Sequence, residues 1–130
     1  MPISETKKYK NYIDSLDNIP ADKKNILYKA LSAKNYFLIQ GPPGTGKTSY
    51  ILRYLSQILY NTTSQNILLL AHTNRAVDEI CSALLKISKD FNFIRLGNSD
   101  SSEYKSHLLV NIPLERLVEK INNTRFFVST

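Results

Sequence analysis

The 130-residue sequence predicts an α/β fold in which a parallel sheet is flanked by helices. Three observations carry that expectation. Short apolar runs bounded by polar turns alternate with segments of helical period, the order that builds parallel sheets through right-handed crossovers. One of those runs, Tyr36-Phe37-Leu38-Ile39-Gln40, feeds a glycine-rich loop and then a helical pattern. Another, Asn66-Ile67-Leu68-Leu69-Leu70-Ala71, is continuously apolar, as a strand covered on both faces would be.

In chain order, residues 1–20 read as a polar N-terminal arm, or a short helix around Tyr9 to Leu16, and residues 21–130 as the folded domain. Asp22 is placed to cap a helix whose apolar face is Ile26, Leu27, Ala30 and Leu31. The strand at 36–40 and its loop follow. Ser49 to Leu59 then sets Ile51, Leu52, Leu55, Ile58 and Leu59 on one helical face, and Asn61 to Gln65 is a turn. After the strand at 66–71, Thr73 or Asn74 caps a helix with Val77, Ile80, Cys81, Leu84 and Ile87 inward. Phe91 to Leu96 is a third strand, ended by Gly97, and Asn98 to Lys105 is a polar loop. Pro113, suited to a first turn, opens a helix with Leu114, Leu117, Val118 and Ile121 on one face. Phe126-Phe127-Val128-Ser129 is a fourth strand.

Composition narrows the class without fixing it. Hydrophobic residues at 42% and charged residues at 22% are ordinary for a globular protein, and no apolar run approaches a membrane span. Nothing in Met1 to Lys8 resembles a secretory signal. Cys81 is the only cysteine, which excludes a disulfide framework and fits a cytoplasmic setting. The formal net charge of +6 is scattered and favours polyanionic partners. Among the eight tyrosines, Tyr28, Tyr36, Tyr50 and Tyr54 fall in helical or strand patterns, so half-buried packing suits them better than stacking on bases.

Gly41-Pro42-Pro43-Gly44-Thr45-Gly46-Lys47-Thr48 reads G-x-x-x-x-G-K-T, the phosphate-cradling loop. A strand, a glycine turn and a helix in that order aim backbone N–H groups and the positive end of the helix dipole at one point. Gly44 and Gly46 leave room for backbone to approach phosphate. Lys47 supplies an ammonium for the β- and γ-phosphates, and the Thr48 hydroxyl is a ligand for Mg²⁺. The nucleotide-binding set is therefore Gly41 to Thr48 with Ser49, for ATP with Mg²⁺, and Lys47 and Thr48 carry the catalytic contacts. A second element, Leu70-Ala71-His72-Thr73-Asn74-Arg75-Ala76-Val77-Asp78-Glu79-Ile80, is a strand end entering a capped helix. Thr73 and Asn74 there either cap the helix or bond a sugar-phosphate backbone.

Together, Ile39 to Thr48 and Thr73-Asn74-x-Ala76-Val77-Asp78-x-Ile80 resemble a superfamily 1 helicase, in the branch of the nonsense-mediated-decay RNA helicase and the Okazaki-fragment helicase–nuclease. The likeness covers residues 19–130 and implies an incomplete P-loop NTPase of RecA-like fold, the N-terminal part of the first motor domain. It implies a parent that couples ATP hydrolysis to translocation on single-stranded DNA or RNA, with Thr73, Asn74, Ser129 and Thr130 on the strand. Arg95-Leu96-Gly97 is similar to the Arg-apolar-Gly after the family's next strand, and Val128-Ser129-Thr130 to the start of a later strand-contacting motif.

Three departures stand out. Lys23 falls where the family has its adenine-reading glutamine, and an ammonium offers donors only, although Asn25 is close in register. His72 replaces a proline. Asp78-Glu79 mimics the family's Mg²⁺- and water-holding pair, but helical spacing around it rules it out, and no later pair follows. The sequence stops on an expected internal strand, so a fragment of a larger helicase is expected, binding nucleotide weakly and hydrolysing it poorly. Two alternatives stay open: an AAA-type ATPase with the same loop, and a non-catalytic nucleotide-binding module.

Overall fold

Two kinds of local order divide the chain, helices before residue 63 and a small sheet after it. The computed structural model describes residues 3–16, 19–39, 47–97, 99 and 104–130, in two units, Met1–Thr63 and Ser64–Thr130.

The first unit contains helices α1 (Ile3–Asp14), α2 (Ala21–Ser32) and α3 (Lys47–Thr62). The polar lead is thus helical over a longer stretch than the Tyr9–Leu16 turn. Tyr9 and Ile13, one helical turn apart, are buried together with Leu27, Leu31, Ile51 and Ile58. On α1, the Tyr12 hydroxyl accepts from Asn61 Nδ2 at 2.8 Å, tying it to the end of α3. Pro20, not Asp22, occupies the cap position of α2, and Asp22 lies in the first turn, where a carboxylate favours the helix dipole.

The expected strand at 36–40 does not form over its described residues. Residues 36–39 have no regular structure, and Tyr36 and Leu38 are 80% and 84% exposed. An apolar run becomes a strand only by pairing with a neighbour, and no strand in the described residues pairs with this one. Tyr36 is accordingly exposed rather than half-buried, whereas Tyr28, Tyr50 and Tyr54 pack against the helical core.

In the second unit, β1 (Ile67–Leu70), β2 (Phe93–Arg95) and β3 (Phe126–Ser129) form a three-stranded parallel sheet in the order β1-β3-β2. Ile67 and Phe93 both lie opposite Phe126, and Leu69 and Arg95 opposite Val128. Those residues share one face. Helix α4 (Asn74–Ile87) contacts β3 and buries Val77, Ile80, Cys81, Ala83 and Leu84. Its period is the one the sequence shows. On the other face, Leu68 and Leu70 remain exposed, so β1 is covered on one side among the described residues and not on both. Two short 3₁₀ turns, Lys105–His107 and Leu109–Asn111, lead to α5 (Leu114–Asn122). Leu114, Val118 and Ile121 on α5 are exposed and Leu117 is half-buried, so most of its apolar face is uncovered among the described residues.

Candidate functional site

A parallel sheet puts all its strand ends on one rim, and the carboxyl rim of open α/β sheets is where ligands bind. In the second unit, β1 leaves that rim through Ala71, whose N–H donates to the Ser129 carbonyl at 3.2 Å. Next to it β3 ends in Ser129 and Thr130, and β2 ends in Arg95, with the Leu96 N–H donating to Val128 O at 2.9 Å. The Thr73 turn, Ser129–Thr130 and the segment after Arg95 therefore meet along one edge.

Thr73 is the N-cap of α4, with extended backbone, and its Oγ1 accepts from the Ala76 N–H at 3.2 Å. Capping is real here, and it uses one acceptor lone pair. The hydroxyl proton is left to donate, and donors are what a phosphate oxygen needs. Thr73, Asn74 and Thr130 are exposed, and Ser129 is half-buried. His72 is exposed in the same turn.

Beneath that turn lies a charge that sequence reading did not foresee as buried. Arg95 is 1% exposed, and a buried guanidinium is tolerated only when paired. Its NH1 donates to Leu96 O at 2.8 Å and its NH2 to Asp78 Oδ1 at 3.2 Å, reaching Asn74 Oδ1 at 3.5 Å. Asp78 Oδ1 also accepts from Ser99 Oγ at 3.0 Å and from the Tyr104 hydroxyl. Burial alone would raise the Asp78 carboxyl, but the Tyr104 and Ser99 hydroxyls and the Arg95 guanidinium together hold it below the ordinary carboxylate range. Burial and the same carboxylate push Tyr104 up to about 12. Nearby, His107 stacks on Phe93 with ring centroids 4.1 Å apart, and burial lowers it despite a bond to the Phe93 carbonyl.

Asp78 and Glu79 lie in the second turn of α4, and Asp78 is spent on Arg95. They are no hydrolytic pair. Gly97 adopts φ 86°, and a Cβ there would lie 3.3 Å from Arg95 NH1. The glycine two residues after the arginine is thereby explained twice, by the turn and by the room the guanidinium takes. Arg75 was not singled out by its sequence context. It is exposed in the first turn of α4, against the helix dipole, and its only sequence signal is adjacency to Thr73-Asn74.

Of the nucleotide set, Gly41, Pro42, Pro43, Gly44, Thr45 and Gly46 lie outside the described residues. The backbone of Lys47, Thr48 and Ser49 forms the first turn of α3. Elsewhere in this unit, a cavity of about 270 Å³ is lined by Lys24, Asn25 and Tyr28 of α2 and by Lys10, Ile13 and Asp14 of α1. Asn25 faces it and Lys23 does not. No helix of the described residues is long and apolar enough to cross a membrane.

A family model described as AAA domain matches residues 18–125. The chain is 37% identical over 92 residues to the DNA replication ATP-dependent helicase/nuclease JHS1 of Arabidopsis thaliana, covering 70% of this chain and 6% of that protein. It is 33% identical over 124 residues to the DNA replication ATP-dependent helicase/nuclease DNA2 of Homo sapiens, covering 88% and 11%. It is 27% identical over 94 residues to the RNA helicase aquarius of Mus musculus, covering 68% and 6%. The chain thus spans about a tenth or less of the length of these relatives. No solved structure matches it.

Proposed function

The chain belongs to the AAA domain family as the N-terminal motor region of a superfamily 1 helicase, and from that premise we propose that it grips ATP in a motor that hydrolyses it to move along single-stranded DNA or RNA. The family body is assigned to residues 21–130, with α1 an accessory helix ahead of it, in a cytoplasmic setting. The observation that carries the reading is the shared rim. Thr73, Asn74, Ser129 and Thr130 lie at neighbouring strand ends, at a helix N-terminus, as a polynucleotide backbone requires.

Gly41 to Ser49 form the nucleotide set, a donor collection of backbone amides, one ammonium and three hydroxyls that matches a Mg²⁺–triphosphate in charge and hardness. Lys47 is assigned to the β- and γ-phosphates and the Thr48 hydroxyl to Mg²⁺, which when bound neutralises charge that develops on the phosphoryl oxygens. The residues of this chain bind and orient. Thr73, Asn74, Ser129 and Thr130 hold the strand through its phosphates and sugars, which gives grip without sequence readout.

Titration of the 130-residue chain with a fluorescent ATP analogue and Mg²⁺ tests the first half. Lys47→Ala should weaken binding by roughly 10- to 100-fold, the worth of a charged hydrogen bond. Anisotropy of a labelled oligothymidylate tests the second. Loss of affinity in Thr73→Ala and Asn74→Ala supports the motor reading. Unchanged oligonucleotide binding with nucleotide binding intact would point to a ring ATPase instead.

A further inference from the structure

The buried guanidinium of Arg95 sits behind the polynucleotide rim rather than on it. At 1% exposure it cannot touch a strand. What it touches is Asn74, through NH2 and Asn74 Oδ1 at 3.5 Å, and Asp78, through the same nitrogen and Asp78 Oδ1 at 3.2 Å. Asn74 and Asp78 are four residues apart on α4 and so lie on one side of it. One nitrogen therefore spans two acceptors on consecutive turns.

That arrangement decides which end of the Asn74 amide faces outward. A carboxamide has an acceptor oxygen and a donor NH₂ on opposite sides of its carbon. A guanidinium has donors only, so it donates to the amide oxygen and repels the amide nitrogen. With Oδ1 toward Arg95, the two Nδ2–H donors point away from the guanidinium. Asn74 is exposed, so those donors are available at the rim. Phosphate and sugar oxygens are acceptors, so this orientation is the useful one.

Arg95 is in turn held from two other directions. Its NH1 is tied to the Leu96 carbonyl at 2.8 Å. The Asp78 carboxylate that anchors NH2 is fixed by Ser99 Oγ at 3.0 Å and by the Tyr104 hydroxyl. Ser99 Oγ and the Tyr104 hydroxyl are themselves 2.8 Å apart. Two loop residues far from α4 in sequence thereby brace the Asp78 side chain in its second turn.

We propose that Arg95, anchored by Asp78, Ser99 and Tyr104, is a positioning residue that orients the Asn74 amide with its donors toward the nucleic-acid strand. The inference rests on the rim being the strand-contacting surface. It adds that the affinity of the rim is set from behind, by a residue the strand never meets.

A double-mutant cycle on oligothymidylate binding by the full 130-residue chain tests it. Arg95→Lys keeps the positive charge but cannot span both acceptors, and Tyr104→Phe keeps the ring and removes one brace. Arg95→Lys should weaken binding by about threefold to tenfold, the value of one neutral hydrogen bond, in the Asn74 background. In the Asn74→Ala background it should cost nothing further. Tyr104→Phe should follow the same pattern with a smaller loss, and it stands in for Arg95→Lys should that variant fail to fold. Equal losses in both backgrounds, or no loss in either, overturn the positioning role while leaving the rim assignment intact. An Asn74→Ala variant that binds as tightly as the parent sinks the rim assignment, and the positioning role with it.

Discussion

Gly97 shows how one residue ties backbone shape to a buried charge. The chain leaves β2 at Arg95 and must turn at once, because Ser99 and Tyr104 have to reach back to Asp78. It does so at φ 86°, a region in which a side chain clashes with its own backbone. Gly97→Ala should therefore cost about 1–2 kcal/mol from the backbone alone. The added methyl also crowds Arg95 NH1, 3.3 Å away, and that group is tied to Leu96 O and cannot simply swing aside. Urea unfolding of parent and variant measures the difference. An unchanged midpoint would mean that the turn relaxes freely and that the Arg-x-Gly spacing is incidental.

Among the elements, α4 and α5 look alike in sequence and behave differently in packing. Both carry apolar residues at helical spacing, but Leu84 on α4 is fully buried and Val118 on α5 is 71% exposed. Leu84→Ala should destabilise by about 2–5 kcal/mol, while Val118→Ala should stay within about 0.5 kcal/mol. Thermal or urea unfolding of the two variants side by side decides it, and comparable losses would show that α5 is covered in solution. Helical period reports that a face is apolar and says nothing of what covers it, which is why α5 was legible as a helix and its exposure was not. The three strands of the sheet were legible for a related reason. Ile67–Leu70, Phe93–Arg95 and Phe126–Ser129 are short, mostly aliphatic or aromatic, and bounded by turns. Residues 36–39 carry the same local signal without a pairing partner in the described residues, and the signal alone did not suffice. The helicity of the lead was half-visible in Tyr9 and Ile13, masked by the lysines between and around them. At the rim, Thr73 as cap could be read from the chain, because a cap bonds three residues on. The Arg95 network could not, because its partners lie 17 and 21 residues away and nothing local encodes them.

At the scale of the whole molecule, 17 Lys and Arg against 11 Asp and Glu leave a formal net charge of +6, enough to attract any polyanion. A general attraction and a directed grip differ in how salt acts on single residues. Each phosphate neutralised on a single strand contributes about 0.7 to the slope of log affinity against log salt. Arg75 stands exposed in the first turn of α4, where the helix dipole disfavours a cation unless an anion sits beside it. Arg116 is exposed as well, but it lines a groove with Asp90 and Asn92 ahead of β2, at the other end of the strands from Arg95. Arg75→Gln and Arg116→Gln lower the net charge equally. If charge acted only as a diffuse field, both variants would shift oligothymidylate affinity alike. With the strand seated at the carboxyl rim, Arg75→Gln should reduce the salt slope by about 0.7 and Arg116→Gln should leave it unchanged. Anisotropy titrations at several salt concentrations separate these outcomes, and equal slopes for the two variants would move the polynucleotide off the Thr73 turn.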